Sequence, residues 1–164
     1  MKERIISILN RLKAKGEEGL TGSIVDFEAK SDYIFQLRIN KNRGFDTYFK
    51  YETSGTEDEV LRVELSHFFG HLDLNRVDNP AQFLVEMLEQ NVPSFRGSSA
   101  CLGLKASSPS PLVCLNATHI FLATLSDSDI AEVLSIAIFD LKMGFMFTFP
   151  PAVVTWDPEI SSPA

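Results

Sequence analysis

The chain has 164 residues and a mass of 18.3 kDa, with 45% hydrophobic and 23% charged residues, which predicts one globular domain with a sizeable core and excludes wholesale disorder. A net charge of −7 argues against nucleic-acid binding, which needs a basic surface to meet phosphates. Residues 1–50 carry 10 basic and 7 acidic side chains (+3), whereas residues 51–164 carry 5 and 15 (−10). The acidic part either steers a basic partner or forms a solvated face.

The sequence predicts a cytoplasmic protein that does not enter a membrane. No apolar run is long enough to span a bilayer, and the charged start at Met1–Arg4 leads into no signal-peptide pattern. Two cysteines in a chain of this size are consistent with free thiols in a reducing compartment.

An amphipathic helix is predicted from Lys2 to Lys15, and Gly16 ends it. Beyond Gly19 the apolar period changes to two, which indicates four strands separated by turn residues. The apolar sides of the four runs are Val25, Phe27 and Ala29; Tyr33, Phe35, Leu37 and Ile39; Thr47, Phe49 and Tyr51; and Leu61, Val63 and Leu65.

The four runs can be paired as an antiparallel meander in which all strongly apolar positions share one face. Directly opposed residues point to the same face, and a shift of one residue reverses every side chain. The pairing predicted for the meander sets Phe27 opposite Phe35, Leu37 opposite Phe49, and Phe49 opposite Val63.

A helix and a hairpin follow the meander. Asn79 suits the helix cap, Pro80 its first turn and Gln82 the third position of a capping box, while Asn91 and Pro93 end the helix. Its apolar stripe is Phe83, Leu84, Met87 and Leu88. The hairpin joins Ala100–Leu104 to Leu112–Leu115 through Ser107–Ser110, with Leu102 opposite Leu115 and Leu104 opposite Val113.

The last predicted helix begins with a capping box at Ser126–Asp129 and ends before Gly144. The residues from 145 to 164 form a tail that is first hydrophobic and then rich in Ser and Pro. Its aromatic residues either close the core of the domain or complete an interface. These aromatic residues are Phe145, Phe147, Phe149 and Trp156.

No catalytic, cofactor or metal motif is complete in this sequence. His67 and His71 are four residues apart, but they lie on a predicted strand, where they share a face and are too far apart to hold one ion easily. Cys101 and Cys114 fall on adjacent hairpin strands, on the same face but diagonal to each other, which disfavours a disulfide. We therefore expect no catalytic residues, cofactor or metal.

The pattern predicts an α+β fold, with an antiparallel meander sheet and a hairpin packed against three helices in the order α-ββββ-α-ββ-α. Residues 1–144 form the single domain in this interpretation, and residues 145–164 form the C-terminal tail.

This element order resembles that of class I type III secretion chaperones and of the YbjN-like bacterial regulators. The residues that carry the resemblance are Phe83–Asn91, similar to the family's leucine-pair-then-asparagine helix; Ala100–Leu104 and Leu112–Leu115, similar to its hairpin; and the acid-capped helix from Asp127. Good matching covers residues 78–141. The resemblance implies a secretion-chaperone-like fold in a small acidic protein, commonly a homodimer, that binds a segment of another polypeptide without catalysis.

Three hypotheses remain open from the sequence. The first is a non-enzymatic, dimeric protein- or peptide-binding module, either chaperone-like or regulatory. The second is a small-molecule-binding or enzymatic domain with a pocket near His67 and His71, and the third is a structural subunit. Under the first hypothesis, the partner binds by strand addition on the sheet face that the helices leave uncovered, or on the tail. The candidate partner-binding residues are Ile34, Tyr48, Val60, Phe145, Phe147, Phe149 and Trp156.

Overall fold

The computed structural model describes residues 1–16, 21–42, 44–56, 59–89, 100–106, 110–143 and 154–155. It has an α+β fold of three helices and one antiparallel sheet, as the sequence predicts. The helices are α1 (Lys2–Ala14), α2 (Pro80–Glu89) and α3 (Asp127–Met143). The strands are β1 (Asp26–Ala29), β2 (Ile34–Arg38), β3 (Thr47–Ser54), β4 (Val60–Leu72), β5 (Ala100–Lys105), β6 (Leu112–Leu122) and the two-residue β7 (Val154–Thr155).

The sheet order is β1-β2-β3-β4-β6-β5, so the long strands β4 and β6 lie side by side near its middle. The short strand β7 pairs with the end of β4, at His71 and Leu72. A short 3-10 helix (Leu74–Arg76) connects β4 to α2. Since β4 has 13 residues and β6 has 11, each extends beyond the runs that the alternation predicts, and β6 continues past Leu115 to Leu122.

The predicted helix starts are confirmed by their hydrogen bonds. The backbone N–H of Gln82 donates to Asn79 Oδ1 at 3.2 Å, and the backbone N–H of Asp129 donates to Ser126 Oγ at 3.1 Å. The Ser126 hydroxyl also donates to the Asp129 carboxylate, which completes a reciprocal cap. The side chain of Gln82 instead donates to Glu86 on the next turn, so α2 has only half of its predicted capping box.

The predicted meander registers are wrong by two residues at each pair, whereas the hairpin register is confirmed. In the structure Phe27 lies opposite Leu37, Phe35 opposite Phe49, and Phe49 opposite Leu65. A shift of two residues keeps every side chain on its predicted face, so alternation alone does not distinguish the two registers. In the hairpin, Leu102 lies opposite Leu115 and Leu104 opposite Val113, as predicted.

One face of the sheet packs against α1 and α3 and forms the main core. Each helix contributes its apolar stripe, and the strands contribute the alternating set that the sequence predicts. The fully buried members include Ile5, Ile8, Leu9, Leu12, Phe35, Leu37, Phe49, Leu61, Val63, Leu65, Ile130, Leu134, Ile138 and Leu141. The segment after α1 closes the core against α3 at Gly22, where an added Cβ atom would lie 2.7 Å from the backbone nitrogen of Phe139. Only glycine fits there without a shift of the backbone.

Helix α2 is less deeply packed than α1 and α3. Met87 is buried, but Phe83 and Leu84 are only partly buried against the core, and Val85 is exposed. The side chain of Leu88 and the predicted helix end at Asn91 and Pro93 lie outside the described residues.

A β-bulge in β4 reverses the expected relation between His67 and His71. Residues 67 and 68 lie opposite Leu115 and Cys114, and the register then shifts, so that His71 lies opposite Leu112. His67 therefore faces the helices and His71 faces the other side, and the prediction that they share a face is wrong. The bulge requires Gly70, whose φ of 147° is rarely adopted by residues with a side chain.

Candidate functional site

The sheet face turned away from α1 and α3, called here the second face, is divided into two regions that differ in burial. At the end where β4 finishes, a closed cluster consists of Tyr48, Phe68, Leu112 and Cys114. At the opposite end, where β4 begins, an open patch consists of Val60, Ile120 and Leu122. The second face is thus neither uniformly solvated nor uniformly covered.

The closed cluster is a second, small hydrophobic core. Phe68, Leu112 and Cys114 are buried, and the rings of Tyr48 and Phe68 meet edge to face with centroids 5.5 Å apart. The ammonium of Lys105 lies 5.5 Å from the centroid of the Phe68 ring, in cation–π geometry. Burial raises the pKa of the Cys114 thiol, so this cysteine stays protonated and unreactive at neutral pH.

The open patch leaves large apolar side chains in solvent. Ile120 is 71% exposed and Leu122 is 63% exposed, and Leu122 lies directly opposite Val60 on β4. Charged side chains border the patch: Ile120 lies opposite Arg62, whose guanidinium is 3.8 Å from the carboxylate of Glu52. Exposed apolar residues grouped in this way, beside charges of both signs, are typical of a surface that contacts another molecule.

The strand beneath the open patch also has a stretch of backbone that no described strand flanks. Strand β5 pairs with β6 only as far as Ala117, so among the described strands none lies beside residues 118–122 on the side away from β4. The backbone N–H of Ala123 donates to Glu59 at 2.7 Å, toward β4. Because backbone groups alternate in direction along a strand, the N–H groups of Thr118, Ile120 and Leu122 point outward.

The residues predicted to bind a partner do not form one site. Tyr48 is half-buried in the closed cluster, where it accepts a hydrogen bond from the side-chain amide of Gln36. Ile34 is half-buried opposite Lys50, whereas Val60 belongs to the open patch and pairs with Ser54. Six residues of β3 separate the positions of Tyr48 and Val60, a distance of about 20 Å.

The two-residue shift of the meander also changes the pairs on this face. The predicted registers set Ile34 opposite Glu52 and Tyr48 opposite Glu64, whereas in the structure Ile34 lies opposite Lys50 and Tyr48 opposite Ser66. The remaining candidates lie in the tail, outside the described residues. They are Phe145, Phe147, Phe149 and Trp156.

Sequence reasoning missed Ile120 and Leu122, although a pattern was available. The run from Thr118 to Leu122 is rich in β-branched and aromatic residues, which favours continuation of the strand. Its alternation would have placed Phe121 toward the core and its two neighbours on the second face. No local sequence pattern indicates how far β5 pairs along β6.

His67 is the centre of a polar group inside the main core. Its Nδ1 lies 2.8 Å from Thr47 Oγ1 and 3.6 Å from the carboxylate of Asp46, and the ring of Phe69 meets it edge to face. The side chains of His67 and Asp46 are at most 1% exposed. A substrate from solvent does not reach this group in the structure.

His71 is 6% exposed, and its Nδ1 lies 2.9 Å from the carbonyl oxygen of Ser110. Because that oxygen only accepts, Nδ1 carries the hydrogen. Among the described residues, both histidine side chains are therefore buried. Within the described residues, no three His, Cys, Asp or Glu side chains are grouped as metal ligands.

The two cysteines are free thiols in different environments, since Cys101 is exposed and Cys114 is buried. In the hairpin Cys101 lies opposite Asn116 and Cys114 lies opposite Gly103, which is the predicted diagonal arrangement.

Searches against protein-family models, curated proteins and solved structures found no match. None of the helices, over the residues that the structure describes, is long and apolar enough to cross a membrane.

Proposed function

We propose that this protein is a non-enzymatic binding module of the cytoplasm, chaperone-like or regulatory as the resemblance implies, that holds an extended segment of another polypeptide. The observation that supports this proposal is the edge of β6 from Thr118 to Leu122, which no strand flanks among the described residues and which carries Ile120 and Leu122 in the open patch. Such an edge accepts a further strand through main-chain hydrogen bonds, and the adjacent side chains supply selectivity.

An added strand satisfies the backbone and the side chains of β6 together. Its main chain bonds to the outward groups of Thr118 and Ile120, and its side chains on the second face lie beside Ile120 and Leu122. A helix laid on the open patch would bury the same apolar side chains but would leave the edge unpaired. An extended segment is therefore the occupant that this geometry favours.

The side chains of the open patch indicate which partner segments fit. Apolar side chains of the segment lie beside Ile120 and Leu122 on the second face. We expect a partner segment in which apolar residues alternate with polar ones.

The test combines peptide binding with hydrogen exchange measured along the edge of β6. Peptides of about ten residues are selected from a random display library for binding to the whole chain, and backbone hydrogen exchange is then measured with the best peptide bound. We expect slower exchange at Thr118, Ile120 and Leu122. The variant Ile120→Glu/Leu122→Glu should lose binding at least tenfold, while Ile136→Glu, which changes a 46% exposed residue on the outer side of α3, should bind as the wild type does.

Two results would contradict strand addition at β6. One is full binding by the Ile120→Glu/Leu122→Glu variant with its thermal stability unchanged. The other is protection confined to α2 or to the tail, which would move the binding site there.

Self-association is the second part of the proposal. It is supported by the family resemblance and by apolar side chains exposed on two contacting elements, Val85 on α2 and Leu104 on β5, which are 54% and 41% exposed. We expect a homodimer in which this surface is buried, with a dissociation constant in the low micromolar range or tighter. Sedimentation should show the dimer for the wild type and a monomer for Val85→Glu/Leu104→Glu, with Ile136→Glu remaining dimeric. A wild-type monomer at high concentration would overturn this part alone.

A further inference from the structure

A cleft of about 770 Å³ opens where the last turns of α1 and α3 meet the loop between β2 and β3. Its floor is apolar, because Ile24 and Ile39 are at most 2% exposed and Val25 is half-buried. This volume lies within the range of about 300–1,000 Å³ that is typical of small-molecule sites.

The rim of this cleft is basic. Lys13 lies in the last turn of α1, Lys142 in the last turn of α3, and Lys41 in the loop between β2 and β3. The loop is held by a hydrogen bond of 3.1 Å from the backbone N–H of Asn42 to Asn40 Oδ1, and both amide side chains line the cleft. No acidic residue lines it among the residues that the structure describes.

Over the described residues, the charges at the cleft sum to a positive value. Lys13, Lys41, Lys142 and Arg38 contribute +4, and Asp26, which binds Lys13 at 2.9 Å and lies 3.6 Å from Arg38, contributes −1. The two helix ends contribute about −0.5 each, so roughly +2 remains. This positive balance agrees with the net charge of +3 of residues 1–50, which supply most of the cleft.

We propose that this cleft binds a small organic anion, a carboxylate or a phosphate monoester carried on a short apolar body. The apolar floor receives the body, and the lysines and amides of the rim receive the anionic group. Lys41 is the cation most available to a ligand, because it is exposed and makes no ion pair with a described residue.

This site is separate from the peptide site proposed at β6. The cleft lies beyond the Thr47 end of β3, whereas the open patch lies at the Ser54 end, opposite Val60. Seven residues of β3 separate the two ends, or about 23 Å. A test of the anion site is therefore independent of the test of strand addition at β6.

Nuclear magnetic resonance titration of the whole chain tests the proposal. The probes are hexanoate and hexyl phosphate, with hexanol and hexylamine as neutral and cationic matches of equal chain length. We expect the two anions to shift the backbone amides of Ser23, Asn40 and Asn42 and to bind at least tenfold more tightly than hexanol or hexylamine. A preference between the two anions identifies the head group as a carboxylate or a phosphate.

Charge variants at one position provide the control for folding. Lys41→Gln should weaken hexanoate binding several-fold and Lys41→Glu more strongly, and the effect should shrink at high salt. Lys30→Gln removes an exposed lysine that pairs with Glu28 away from the cleft and should leave binding unchanged. Equal binding of hexanol and hexanoate, wild-type affinity in Lys41→Glu, or shifts confined to the open patch would each overturn the proposal.

Discussion

Both faces of the sheet carry apolar residues, but the two faces differ in how far these residues are buried. On the face under α1 and α3, residues such as Phe35 and Val63 are completely buried. On the second face, Ile120 of the open patch is 71% exposed. The alternation along a strand therefore indicates which side chains share a face. The elements that pack against that face decide whether those side chains are buried.

The two regions of the second face also differ from each other in burial. Phe68 and Ile120 are both apolar residues on this face of the two central strands, yet only Phe68 is enclosed. Tyr48 and Lys105 contact the Phe68 ring, whereas Ile120 lies beside Arg62 and beyond the reach of β5. The closed cluster at one end of this face contributes to stability. The open patch at the other end leaves apolar side chains exposed to solvent.

The largest expected effect separates these two regions. Phe68→Ala should lower the free energy of unfolding by about 3–5 kcal/mol, because it empties a buried ring site, whereas Ile120→Ala should change it by no more than about 0.5 kcal/mol. Urea denaturation followed by circular dichroism measures both. Equal, small effects would show that the closed cluster contributes no packing energy.

A smaller effect is expected from the polar group under the helices. Thr47→Val keeps the shape of the side chain but removes the hydroxyl 2.8 Å from His67 Nδ1, and we expect a loss of about 1–3 kcal/mol because a buried polar atom loses this hydrogen bond. Thr118→Val, at an exposed position of β6, is the matched control and should be nearly neutral. Denaturation midpoints that fall equally in both variants would show that the hydroxyl itself is unimportant.

The smallest effect concerns His119, which faces the helices on β6. Burial lowers the pKa of His119 below its usual value near 6.5, and this outweighs the opposing effect of Asp140. The unfolded chain then binds the proton more readily than the folded chain, so the contribution of His119 is present above pH 6.5 and is lost as the pH falls through the pKa of the folded state.

Thermal melts between pH 7.5 and 5 measure this loss. His119→Gln, which cannot titrate, should show a shallower fall in melting temperature over that interval. An unchanged pH slope in His119→Gln would contradict the assignment.

Local sequence determined the elements and the sides of the strands in this protein. The caps at Asn79 and Ser126, the apolar stripes of α1 and α3, and the alternation of β1 to β4 each act over a few residues, so they can be read directly. The hairpin register was also predictable, because pairing Leu102 with Leu115 places the apolar runs of the two strands opposite each other.

Tertiary structure decided the features that depend on distant segments. The two-residue shifts of the meander preserve every face, so turns and packing selected the register. The bulge that separates His67 from His71, the enclosure of Phe68 and the exposure of Ile120 depend on how β4 meets β6 and on where β5 ends. Likewise, Lys13, Lys41 and Lys142 are far apart in sequence and line one cleft only because the ends of α1 and α3 meet the loop after β2. Such features arise from contacts between elements, which no local pattern encodes.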